Sequence, residues 1–127
     1  MTSRKAGAVL IVDGANVVGA RPDGWWKDRA GAARRLHEQL MTADVEGDIV
    51  LVLEGAAKAG VPAGRDGHVT VVHAPKDGDS EIVRQAHRAA DSGAKVTVVT
   101  ADRLLAARVA KAGPCVGPTW LLARLDG

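Results

Sequence analysis

Short runs of consecutive apolar residues alternate along this chain with longer stretches in which apolar positions recur every three or four residues. Ala8 to Val12 is the first run, too brief for a helix and β-branched enough for a buried strand, and Asp13 and Gly14 close it. The stretch GANVVGARPDGWWK that follows is rich in Gly, with Pro22 and an Asp23-Gly24 pair, and reads as a loop. From Asp28, a good N-cap residue, Ala33, Leu36 and Leu40 recur at helical spacing, with Arg and Glu on the other face. Ile49 to Leu53 reads as a second buried strand, GAAKAGVPAGRDG as a flexible connection, and His68 to Val72 as a third strand. Ile82, Val83, Ala86, Ala89 and Ala90 form a helical stripe that starts after Asp79-Ser80 and stops at Gly93. Lys95 to Thr100 is the clearest strand. Leu105, Val109 and Ala112 mark another helix ended by Gly113-Pro114, a short fifth strand lies around Cys115-Val116, and Gly117-Pro118 opens the last helix with Pro at a tolerated position.

Strands alternating with helices predict an α/β fold: a mostly parallel sheet of about five strands, helices on both faces, right-handed crossovers. The 127 residues are the common size of one domain, with no internal repeat or linker, so residues 1–127 read as a single unit. Composition refines the core. There is no Phe or Tyr, and the only aromatics are Trp25, Trp26 and Trp120, so Ala, Val and Leu must fill it. The 17 basic and 15 acidic residues nearly cancel, and overall charge does not force a nucleic-acid partner. The lone Cys115 allows no intrachain disulfide or cysteine-based metal site and packs as a small hydrophobe, which favours a reducing cytoplasm. The apolar run in MTSRKAGAVLIV is too short for a membrane span.

Three aspartates change the picture. Asp13 ends the first strand, Asp79 lies at the head of the middle helix, and Asp102 follows the fourth strand. A parallel sheet gathers such positions at the carboxyl ends of its strands, and with strands one and four adjacent, Asp13 and Asp102 face each other across the crevice. Singly, Asp79 or Ser80 could cap a helix and Asp102 could sit at the positive end of the next one. Converging carboxylates point instead to a metal. The His residues show no ligand pattern: His68 and His73 bracket a strand, while His37 and His87 lie on helices.

IVDGANVVG near the N-terminus, DGDSEIV at the head of the middle helix, VVTADRLLA after the fourth strand and GPTWLL near the end occur in an order that resembles the NYN (YacP-like) branch of PIN-like ribonucleases, over nearly the whole chain. The resemblance implies a PIN-like Rossmannoid sheet and a Mg²⁺- or Mn²⁺-dependent nuclease acting on RNA. Asp13, Asp79 and Asp102 then match the metal-binding acids, and Asn16 the Asn of the first motif, orienting a water, a carboxylate or a phosphate through its amide. Glu54 stands in LVLEG where relatives often carry Asp. Glu54, Asp77 and Glu81 are accessory candidates, the latter two for a second ion, and Thr100 and Arg103 are candidate phosphate contacts beside Asp102.

Arg21, Lys27 and Arg29, followed by Arg34 and Arg35, surround Trp25 and Trp26. Cations neutralise phosphates and an exposed indole stacks on an unpaired base, a combination suited to single-stranded RNA; equally, a Trp can anchor a long loop on the core. Arg84 and Arg88 read as a solvated face. Competing motifs are incomplete. Gly14 to Gly19 has the glycines of a phosphate loop, but Ala20 and Arg21 stand where Lys and Ser/Thr are needed, and there is no G-x-G-x-x-G. A phosphohydrolase with an aspartyl nucleophile would want a D-x-D pair. An inactive RNA-binding or protein-interaction module of the same fold is the main alternative.

Overall fold

A computed structural model describes residues 7–126; the MTSRKA part of the N-terminal run lies outside the described residues. Six strands form one sheet: β1 (Ala8–Asp13), β2 (Asp48–Leu53), β3 (Gly64–Asp66), β4 (Val69–His73), β5 (Lys95–Val99) and β6 (Cys115–Val116), in the order β3-β4-β2-β1-β5-β6. All neighbours are parallel except the β3-β4 pair. The helices are α1 (Gly14–Gly19), α2 (Arg29–Thr42), α3 (Gly78–Asp91), α4 (Arg103–Val109) and α5 (Pro118–Asp126). Among the described residues, no helix is long and apolar enough to cross a membrane.

The order puts β1 between β2 and β5, so its side chains are covered on both faces. Alternation along the strands sorts the core into two halves. Leu10, Val12, Leu51 and Val99 pack with Val17 of α1, Leu36 and Leu40 of α2 and Leu121 of α5. Ile11, Val52, Val96 and Val98 pack with Ile82 and Ala86 of α3 and Leu105 and Val109 of α4. Small Ala and Val side chains let these layers close without a Phe or Tyr.

Three local readings differ from the structure. GANVVG, expected as loop, is helix α1: Asp13 accepts the Asn16 N–H as an N-cap, and Val17 is buried in the core. An N-cap and one buried anchor outweigh the low helix propensity of two glycines. The connection after β2 is ordered as a 3₁₀ stretch, Gly55–Gly60, followed by the edge strand β3, so the sheet has six strands rather than about five. Helix α3 is capped by Asp77, not by Asp79 or Ser80: the Asp77 carboxylate accepts the Ser80 N–H at 2.7 Å and its hydroxyl at 3.1 Å. His68 and His73 bind the Leu40 and Val61 carbonyls, holding loops to the sheet.

Candidate functional site

The strand alternation that sorts the core also aims the acids. Ile11, Val52 and Val98 face α3 and α4, and two residues further along each strand the same parity falls on Asp13, Glu54 and Thr100. All three therefore emerge at the carboxyl edge, on the side where α3 and α4 begin. Asp79 arrives in the first turn of α3 and Asp102 as the N-cap of α4.

Asp13 is 3% exposed and fully engaged on one oxygen. Its Oδ2 accepts from Asn16 Nδ2 at 2.8 Å and from Thr100 Oγ1 at 2.9 Å, while Oδ1 accepts the Asn16 N–H at 3.3 Å. The network continues outward: Thr100 Oγ1 accepts the Asp102 N–H at 3.1 Å, and Asn16 Oδ1 accepts the Ala101 N–H at 3.2 Å. Thr100 and Asn16 thus brace Asp13 against the β5-α4 turn. Thr100, itself buried, is part of this brace rather than a phosphate contact. Asp102 Oδ1 accepts the Leu104 and Leu105 N–H groups at 2.9 and 3.1 Å, so its free lone pairs lie on Oδ2. Asp79 accepts no hydrogen bond among the described residues.

The electrostatics follow from this crowding. Burial raises the Asp13 pKa above its ordinary value; the Thr100 and Asn16 donors oppose the rise, and the Asp79 charge adds to it. The Asp79 pKa is raised by desolvation first, then by repulsion from Asp102, Asp77 and Glu54, with Arg108 opposing. Asp77 is held low, chiefly by its hydrogen bonds from Ser80 and also by Arg108. Five carboxylates therefore share one field, and Arg108, which the sequence did not single out, is a cation that reaches it. The signal for Arg108 was its place one face along α4 from the Asp102 cap, readable only once α3 and α4 are known to pack together.

Two glycines make the close approach feasible. A Cβ at Gly14 would meet the Val52 carbonyl oxygen at 2.6 Å and Leu53 Cδ2 at 2.9 Å, so only Gly lets α1 start this close to β2. A Cβ at Gly78 would meet Glu54 Oε1 at 2.6 Å; without it, Glu54 Oε2 accepts the Gly78 N–H at 3.3 Å. Glu54 thus lies against the start of α3, on the border of the acid group.

Other expected positions fall elsewhere. Glu81 is buried but turns back along α3 to Arg84 at 3.1 Å and Gln85 at 2.7 Å, a structural ion pair rather than a second-ion ligand. Arg103 is exposed at the first position of α4. Arg21 donates to Asp126 at 2.9 Å, tying the loop after α1 to α5. Trp25 and Trp26 lie in a 3₁₀ turn, Trp25–Lys27, meeting edge to face at 5.9 Å. Trp26 is 57% exposed, Lys27 and Arg29 are exposed, and the Arg29 guanidinium sits 5.4 Å from the Trp25 ring centre.

Among the described residues, no three His, Cys, Asp or Glu side chains close around a point that could hold an ion. Oxygens that remain open among the described residues include both of Asp79, Asp102 Oδ2, Glu54 Oε1 and one lone pair of Asp13 Oδ1, all hard oxygen. That set fits Mg²⁺ or Mn²⁺ bound by one or two carboxylates directly and by the others through water, the habit of Mg²⁺.

No family model matches the sequence, and no curated protein matches it. Among solved structures, the chain is similar to Rae1 (YacP) from Bacillus subtilis, with a TM-score of 0.74 and 17% identity over 94% of this chain and 75% of that one. The chain shares the α/β fold of that protein, the fold that the order of its motifs implies.

Proposed function

We propose that this protein is a metal-dependent ribonuclease whose carboxylate group at the carboxyl edge of the sheet hydrolyses phosphodiester bonds in single-stranded RNA. The observation that carries the reading is the convergence of Asp13, Asp79 and Asp102 from three separate elements, with open oxygen lone pairs and with Arg108 the cation that opposes the Asp79 shift. The YacP-like fold is compatible with it. A structural role would pair or neutralise such charges; Asp79 is left repelled by three neighbours.

In this reading Asp13, Asp79 and Asp102 would hold a Mg²⁺ or Mn²⁺ ion. A bound divalent ion supplies a water of lowered pKa and positive charge against the nonbridging and leaving oxygens. The chain's own residues do the positioning. Thr100 and Asn16 fix the Asp13 carboxylate, and the α4 N–H groups fix Asp102, so the acids need not reorganise when substrate arrives. Trp25, Trp26, Lys27 and Arg29 form the surface that receives an unpaired strand.

Purified protein should cleave single-stranded RNA with Mg²⁺ or Mn²⁺, and EDTA should stop it. Asp79→Asn and Asp102→Asn should each lower the rate at least about a hundredfold, the scale of losing one preorganised charge-stabilising group. Wild type and variants cutting equally would place the activity in a contaminant. Binding without cutting would make the protein an RNA-binding module, and release of phosphate from small esters alone would make it a phosphohydrolase.

A further inference from the structure

Trp26, 57% exposed, and Leu104, 79% exposed, are the large apolar side chains that stand out into solvent among the described residues. They flank the carboxyl edge of the sheet from opposite faces. Trp26 lies in the turn between α1 and α2, the helices whose Val17 and Leu36 cover one half of the core. Leu104 lies in the first turn of α4, whose Leu105 and Val109 cover the other half. Asp13, at the end of the central strand β1, lies between these two faces. Arg108 stands four residues beyond Leu104, so the two share one side of α4. A long side chain on a helix slopes back toward the helix N-terminus, which here carries Asp102.

The exposed Arg108 guanidinium is near enough to lower the pKa of both Asp77 and Asp79, yet among the described residues it closes no ion pair. Arg21 and Arg84 behave differently: they bind Asp126 at 2.9 Å and Glu81 at 3.1 Å. Asp77 engages both of its oxygens with Ser80. An arginine that served only to neutralise the acids would fork onto one of them. Arg108 instead keeps its N–H fork open beside them, the donor geometry that matches a phosphate. Resting on the ribonuclease reading, we propose that Arg108 binds a phosphate of the single-stranded RNA beside the acid group and that Leu104 packs against the adjoining nucleoside. The strand then crosses the carboxyl edge from the Trp26 face to the Leu104 face, passing Asp13.

Binding of oligouridylate in EDTA, measured over a range of salt concentrations, tests this without turnover. Arg108→Gln should reduce the slope of log K against log salt by about 0.7, the value for one phosphate contact on a single strand, and weaken binding about fivefold at about 0.1 M salt. Arg108→Lys, which keeps the charge, should restore the slope. Arg88→Gln removes the same charge from the last turn of α3 and should leave slope and affinity nearly unchanged. Leu104→Ser should weaken binding with the slope intact. A slope unaltered in Arg108→Gln, or altered equally in Arg88→Gln, would overturn the phosphate contact. Full affinity in Leu104→Ser would overturn the apolar one. RNA bound with these dependences but left uncut in Mg²⁺ or Mn²⁺ would remove the nuclease reading and keep the surface; metal-dependent cutting by a protein whose salt slope ignores Arg108 would do the reverse.

Discussion

The Asp79 and Asp13 pKa values are both raised, first by desolvation, but only Asp13 accepts hydrogen bonds, and substitution should separate them. The Asp79 pKa lies above its ordinary 3.8 because of desolvation and three neighbouring carboxylates. Its contribution to stability is therefore whole below that ordinary value and is lost as pH rises through the folded value. Asp79→Asn removes the charge without removing any accepted hydrogen bond, so in EDTA its Tm should exceed that of wild type near neutral pH, with the two curves meeting in acid. Coincident curves across the range would mean that the acids ionise without mutual penalty. Asp13→Asn should behave in the opposite way. Its amide nitrogen cannot accept from Asn16 or Thr100, and stranding a buried donor costs about 1–3 kcal/mol, measurable as a lower denaturation midpoint. Asp79→Asn is thus the cleaner probe of function. Asp13 and Asp102 were legible in the sequence because strand ends are legible. The ion pairs of Glu81 with Arg84 and of Arg21 with Asp126 were not legible, because a charge's partner is visible only in three dimensions.

At the level of elements, the short helix α1 carries Asn16 and depends on a close approach to β2. Gly14→Ala would drive a Cβ into the Val52 carbonyl, a backbone atom that cannot swing aside, and should cost about 1–3 kcal/mol of unfolding free energy. Gly19→Ala, whose Cβ would meet only the Trp25 ring at 3.7 Å, should be neutral or up to about 1 kcal/mol stabilising. Equal effects from both, measured by urea denaturation, would show that α1 is not packed as described. This helix is also where pattern reading failed. A six-residue helix containing two glycines has too few turns to display a stripe, and its existence rests on the Asp13 cap and the burial of Val17. Strands β1, β2 and β5 were readable because each is rich in Val, Ile or Leu that packs on both faces of the sheet. The edge strand β3, Gly64–Asp66, is exposed throughout and has no apolar signature to read.

For the whole molecule, the order β2-β1-β5 brings distant acids together, and a cation should be felt by the entire fold. If the ribonuclease reading holds, Mn²⁺ bound by the native state alone stabilises by about 2.7 kcal/mol at a hundredfold excess over its Kd. The Tm near neutral pH should rise with Mn²⁺, rise less in acid where protons take the same oxygens, and rise little in Asp79→Asn. A shift that persists undiminished in that variant would move the ion elsewhere on the surface. Parity along three strands, not any one motif, places Asp13, Glu54 and Thr100 on the same side, and the strand order needed to use that parity comes from tertiary packing. The all-aliphatic core has an optical consequence as well. With no Tyr or Phe, every near-ultraviolet signal comes from three indoles, and two of them, Trp25 and Trp26, stand at the proposed strand-receiving surface. The third, Trp120, lies under the Arg124 guanidinium on α5. Emission from this protein therefore watches its rim more than its interior, and the molecule carries its own reporter dye where a ligand would arrive.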